Sequence, residues 1–311
     1  MSQANRTLFI ASLTMLVQIA TVHAQAQRGG RGAPQGGPPA AIGRGQQPPD
    51  PRVQQRTYVL KETNEFIPYA VFVSSKVRKD KKNPLIIALH GLGGSPNSLL
   101  RGNALDLAEQ GGYILIGPMG YNPRGWYGVP AGGGRGRGGA PNAANPAGAG
   151  QPGAQAPRGT PNPALAGAAN DPPNLRELSE KDVMNILDMI RKEFNVDERH
   201  IYLMGHSMGG AGTFHLGVKY ASSWAAIAAI APAAFGLQPD MLGSVKGMPV
   251  IIIQGDADTA VPVANTRRWA DKLKELNMTY EYHEIPGGDH GSVISTGMPD
   301  IFVFFSKHSK E

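Results

Sequence analysis

The 311-residue chain contains no cysteine. That excludes a disulfide framework, a thiolate zinc site and a cysteine nucleophile. It leaves the compartment open, because a large domain does not need disulfides outside the cell. Acidic residues are missing where basic ones gather. Residues 1–56 hold six Arg against Asp50 alone, and residues 129–172 hold Arg135, Arg137 and Arg158 against Asp171. The net charge is +6, so the remainder of the chain is close to neutral. A pI near 9.5 therefore does not indicate a nucleic-acid surface on the folded part. It allows only weak adhesion of the basic segments to acidic polymers or membrane surfaces. Long apolar runs are also missing. Leu8–Ala20 is interrupted by Ser12, Thr14 and Gln18 and falls short of the roughly 20 residues of a membrane span. With Arg6 before it and the small residues of Val22-His23-Ala24 and Ala24-Gln25-Ala26 after it, residues 1–26 read as a secretory signal peptide. A secreted or periplasmic protein without stable membrane insertion is expected.

What the chain has in excess is glycine and proline, 41 and 26 residues, and they are clustered. Residues 27–56 have almost no large apolar side chains and read as a disordered linker. A Gly/Pro/Ala-rich stretch at about 130–172 reads as an insertion inside one domain at 57–311, because ordered patterns resume on both sides. Strands are expected at Tyr58–Lys61, Tyr69–Ser74, Leu85–His90, Tyr113–Gly117, Ile201–Gly205, Trp224–Ile230, Val250–Gln254 and Tyr280–Ile285. Helices are expected at Ser98–Gln110, from an N-cap at Ser179, and at Met208–Tyr220, Pro262–Leu276 and Pro299–His308. Such alternation predicts a mostly parallel sheet flanked by helices, with ligands at the carboxyl ends of its strands.

Gly205-His206-Ser207-Met208-Gly209 follows the buried-strand pattern IYLM and opens a helix. A bare G-x-S-x-G is weak in a glycine-rich chain, but this setting is that of a nucleophile elbow in an α/β-hydrolase fold. The serine needs a strained turn, and side chains at 205 and 209 would clash where strand and helix approach. The competing reading is an ordinary glycine turn. The backbone N–H groups of Leu92, in His90-Gly91-Leu92-Gly93-Gly94, and of Met208 are the expected oxyanion donors. His90 itself is expected to orient that loop. The acid is expected after the strand VIIIQ, at Asp258 in GDADTAVP, with Asp256 as a turn residue bonding its own backbone. The base is expected at His290 in GGDHG, past the last strand. His283, His215 and His308 are read as structural, and no histidine spacing suits a metal. His206 has two readings, a substrate contact or a prop for the turn. Tyr121, Trp126 and Tyr127 follow a strand's carboxyl end, either as a binding wall for an acyl or phenolic group or as loop packing.

IYLMGHSMGGAGTFHL, HGLGG, GDADTAVP and GGDHG resemble secreted single-domain α/β-hydrolases. These include polyhydroxybutyrate-depolymerase-like and feruloyl-esterase-like enzymes and predicted peptidases of prolyl-oligopeptidase type. The resemblance covers roughly residues 58–127 and 175–306. It implies a serine esterase that needs no cofactor and acts on a small-molecule or polymeric ester. Two rivals remain: a peptidase using the same residues, and a non-catalytic surface-binding module attached by its basic arm. The sequence leaves the oligomeric state open.

Overall fold

The computed structural model describes residues 48–131 and 168–310. The expected signal peptide, most of the expected linker and most of the expected insertion lie outside the described residues. Where those segments are described, they belong to the fold. Strand β1 (Gln54–Leu60) starts ahead of the expected boundary at 56, because its antiparallel pairing with β2 (Glu65–Val73) continues back to Gln54 opposite Val71. Val53 before it is buried. At the far side, Ala168–Asn170 forms a short 3-10 turn, and Asp171 pairs with Arg124 at 2.6 Å.

Eight strands form one sheet in the order β1-β2-β4-β3-β5-β6-β7-β8. After the antiparallel pairs β1/β2 and β2/β4, all neighbours are parallel: β3 (Asn83–Leu89), β4 (Ile114–Pro118), β5 (Val196–His206), β6 (Ala226–Ile230), β7 (Val250–Gly255) and β8 (Tyr280–Ile285). Side chains alternate between faces. Leu85, Ile87 and Leu89 enter a core with Ile186 of α2 (Leu175–Glu193), Phe214 of α3 (Met208–Lys219) and Trp269 of α4 (Val263–Glu275). Ile86 and Ala88 enter the other core with Leu105 of α1 (Asn103–Gly111) and Phe305 of α5 (Ser292–Lys307). Stacked rings tie each layer: Phe214 on Trp269 at 4.0 Å, and Tyr202 on Phe305 at 4.5 Å.

Three helix starts differ from the sequence reading. Helix α1 begins at Asn103 rather than Ser98, because Gly102 at φ 54° turns the chain just before it. Helix α2 begins at Leu175, so Ser179 is a buried residue within it and not an N-cap. Helix α5 begins at Ser292, with Pro299 inside. Proline there leaves the Ser295 carbonyl without its helical donor, and the Asn103 side-chain amide donates to it at 2.7 Å.

Candidate active site

Ser207 stands between β5 and α3 with φ 57° and ψ −115°. This region costs a non-glycine residue about 1–3 kcal/mol, so the surroundings must impose it. They do so through the backbone. The Ser207 N–H donates to Ile230 O at 2.9 Å, and its carbonyl accepts from Ala233 and Ala211 at 2.9 and 3.1 Å. The flanking glycines leave no room for side chains. A Cβ on Gly205 would meet Gly209 O at 2.2 Å, and one on Gly209 would meet Leu89 O at 2.2 Å.

His290 bridges this serine to Asp258. The Ser207 hydroxyl donates to His290 Nε2 at 2.9 Å, and His290 Nδ1–H donates to Asp258 Oδ2 at 2.8 Å. The Asp258 side chain is fully buried. Its Oδ1 accepts the Ala260 and Val261 N–H groups at 2.8 Å each, and Gln254 Nε2 donates to Oδ2 at 3.1 Å. Gln254 is held in turn by Thr266, whose hydroxyl donates to its Oε1 at 2.7 Å. Asp256 lies elsewhere, accepting the Gly287 N–H at 2.6 Å. It bonds across to the loop after β8, and not to its own backbone as expected. The His290 loop is locked by Asp289, whose carboxylate accepts the Gly291 and Ser292 N–H groups at 2.9 and 2.7 Å.

The loop after β3 lies against the serine: a Cβ on Gly91 would stand 3.3 Å from Ser207 Cβ. Among the described residues, neither the Leu92 nor the Met208 N–H donates to a protein acceptor. Met208 is buried and Leu92 is 37% exposed. His90 is buried with Nδ1 2.7 Å from Gly91 O and Nε2 2.8 Å from Met119 O. Burial pushes its pKa down against the pull of these two carbonyls. His206 Nε2–H donates to the His290 carbonyl at 2.7 Å. Burial, and then the nearby His290, lower its pKa to about 4, so at neutral pH the ring is uncharged.

The three aromatic residues after β4 do not form one wall. Tyr127 is fully buried and its hydroxyl donates to His90 O at 3.2 Å, so it cannot line an open site. That corrects the binding role expected for it. Trp126 lies under the Arg176 guanidinium, 5.5 Å from ring centre. Tyr121 donates to Glu65 at 2.6 Å and lines a groove of about 360 Å³ with Phe66, Asn122 and Arg124. A second groove, about 600 Å³, runs between the starts of α1 and α5. Its wall includes Leu99, Ile294 and Met298, and it reaches Gly291 beside His290. Another hollow, at Trp224 and Pro249, opens at the amino ends of the strands, away from Ser207. Sequence reasoning missed the role of Gln254 and read Asp182 only as the acid of a helix cap at Ser179. Gln254 was readable as the polar residue closing an otherwise apolar strand, and Asp182 as an acid on the apolar stripe of α2.

Residues 166–247 match the family model for serine aminopeptidase, S33, and residues 240–310 that for the prolyl oligopeptidase family. The bifunctional acetylxylan esterase/xylanase XynS20E of Neocallimastix patriciarum is 35% identical over 79 residues, 24% of this chain and 11% of the relative. The chain thus spans about a tenth of the length of that curated relative. A thermostable esterase superposes with a TM-score of 0.57 at 23% identity, covering 83% of this chain and 64% of the other. The CE1 ferulic acid esterase of Anaeromyces mucronatus, in complex with ferulic acid, does so with a TM-score of 0.55 at 16% identity, covering 81% and 89%. At these identities the likeness speaks to fold. The eight-stranded sheet, the serine turn at its centre and these neighbours agree: the chain is an α/β hydrolase in fold, with esterases among its structural relatives.

Proposed function

We propose that the protein is a carboxylic ester hydrolase with Ser207 as nucleophile, His290 as general base and Asp258 as the residue that orients His290. One observation carries this reading. His290 makes two short hydrogen bonds, to Asp258 and to a serine held in a strained turn. Ser207 Oγ attacks the ester carbonyl carbon as its proton passes to His290 Nε2. The Leu92 and Met208 N–H groups stabilise the oxyanion. The intermediate collapses, and the departing alcohol takes the proton from Nε2. Water then attacks the acyl-enzyme, giving a proton to Nε2. The second collapse releases the carboxylic acid and returns that proton to Ser207. None of these steps requires a cofactor.

The names of the relatives suggest where a substrate panel should begin, with acetylated and feruloylated polymers beside simple acyl esters. The groove between α1 and α5, beside His290 and walled by Leu99, Ile294 and Met298, suits an apolar part of the ester. Peptide hydrolysis is the second reading, favoured by the two family matches. The test compares kcat/KM for p-nitrophenyl acyl esters with that for aminoacyl anilides and short peptides. Esters are expected to be faster, and peptides cleaved faster than every ester would overturn the proposal. A fluorophosphonate probe should label Ser207, and failure to label would favour a binding module. Export is part of the reading, on the strength of residues 1–26, and a mature amino terminus still carrying them would contradict it.

A further inference from the structure

Helix α2 carries a buried carboxylate, Asp182, whose sequence reading is only the acid of a helix cap at Ser179. Asp182 is fully buried. Its Oδ2 accepts the Gly120 and Tyr121 N–H groups at 2.7 and 3.2 Å, and its Oδ1 accepts the Tyr58 hydroxyl at 2.6 Å. Burying a carboxylate is costly unless its oxygens are satisfied. Burial raises its pKa to about 6, although all three donors pull the other way. A helix that only had to pack would carry an apolar residue here, as it does at Val183, Ile186 and Ile190.

The loop that Asp182 grips is the one on which the loop after β3 rests. The Met119 carbonyl faces His90 Nε2 at 2.8 Å. The Pro123 carbonyl accepts the Gly93 N–H at 2.9 Å. The Tyr127 hydroxyl donates to the His90 carbonyl at 3.2 Å. These contacts flank Leu92 on both sides, and Gly91 between them is pressed against Ser207. We infer that Asp182 is a positioning residue for the oxyanion hole: by holding the Gly120 and Tyr121 amides it fixes residues 119–127, and through them the Leu92 N–H. The inference rests on the ester-hydrolase reading.

Two substitutions separate positioning from charge. In Asp182→Asn the side-chain oxygen can take the place of Oδ2 and keep both backbone donors, while the amide donates to the Tyr58 oxygen. Asp182→Ala removes the acceptors. The Asn variant should keep kcat within about threefold of the parent. The Ala variant, scored on its folded fraction, should lose about a hundredfold in kcat with KM changed by less than about threefold, as expected when an oxyanion donor is misplaced. A folded Ala variant with parental kcat would overturn the inference, and so would an Asn variant as impaired as the Ala one. Should the Ala variant fail to fold, amide exchange in the unaltered protein decides. The Gly120 and Tyr121 amides should exchange as slowly as those of β4, and exchange at open-loop rates would overturn the anchoring. Loss of ester turnover in Ser207→Ala tests the underlying reading separately. If the parent protein turns over no ester, that reading falls while the exchange experiment still reports on Asp182.

Discussion

The residue before the nucleophile holds the loop of the residue that faces it: His206 Nε2–H donates to the backbone carbonyl of His290 at 2.7 Å, with the two rings 4.6 Å apart. A protonated His206 would put its charge beside His290, and this neighbour is, after burial, the other cause of the lowered His206 pKa.

His206 and Asp182 should therefore pull the pH dependence of stability in opposite directions. His206 falls to about 4 in the folded chain. As pH drops below its ordinary value near 6.5, the unfolded chain takes up a proton first, and stability is lost down to about pH 4. Asp182 is raised to about 6. Between pH 6 and its ordinary value near 4, the folded chain holds the extra proton, and stability is gained on acidification. Each effect is of order 3 kcal/mol, so they largely offset. Denaturant titrations from pH 7 to 4 should show Asp182→Asn losing stability more steeply than the parent and His206→Asn less steeply. Parallel curves for all three would refute both assignments.

The two aspartates after β7 should differ sharply. Asp258 is sealed and bonded to His290, whereas Asp256 is exposed and bonded to Gly287. Asp258→Asn is expected to lower kcat by about 10³–10⁴, because the His290 tautomer is no longer set. Asp256→Asn should cost less than about threefold. Equal losses in steady-state kinetics would remove Asp258 from the proposed triad.

How far the sequence could be read depended on the range of the interaction. Parallel strands buried on both faces, such as LIIAL and VIIIQ, announce themselves as apolar runs. The Gly205 and Gly209 pair is legible as a local motif, since a Cβ on Gly205 would meet Gly209, although what excludes one on Gly209 is the distant Leu89 carbonyl. The course of α5 depends on a tertiary contact. Pro299 looked like a beginning, yet Asn103, far away in sequence, supplies the donor that lets α5 run through it. Tyr127 looked like a surface aromatic, and only its positive φ of 48° and its contact with His90 turn it inward. Gln254 and Asp182 stand out as polar residues in apolar patterns, but the partners they bond, Thr266 for one and the Gly120 amide for the other, are not written in that periodicity.

The groove between α1 and α5 reaches Gly291 beside His290, whereas the Tyr121 groove is lined by Glu65, Phe66, Asn122 and Arg124. If the α1–α5 groove takes the apolar part of the ester, Ile294→Trp should fill it. The ratio of kcat/KM for octanoyl or cinnamoyl over acetyl esters should then fall at least about tenfold, a differential of about 1.4 kcal/mol. Tyr121→Ala, in the other groove, should leave that ratio within about twofold. A ratio altered by Tyr121→Ala and untouched by Ile294→Trp would move the substrate to the Glu65–Arg124 side.

Strain at the nucleophile gives a test that does not depend on the substrate. Ser207 sits at φ 57°, ψ −115°, a conformation that glycine adopts freely and alanine does not. The hydroxyl's one protein partner among the described residues is His290, so removing it leaves no buried donor without an acceptor. Ser207→Ala should therefore abolish ester hydrolysis while leaving stability within about 1 kcal/mol of the parent. Ser207→Gly should be equally inactive yet more stable than the alanine variant, by a share of the roughly 1–3 kcal/mol stored in the turn. Part of that gain is offset by the extra freedom of glycine in the unfolded chain. Chemical denaturation of the two inactive variants side by side measures the difference directly. An alanine variant at least as stable as the glycine variant would mean that the turn stores no more than the roughly 0.4–1 kcal/mol by which glycine loosens the unfolded chain, and the serine's geometry would then need another cause.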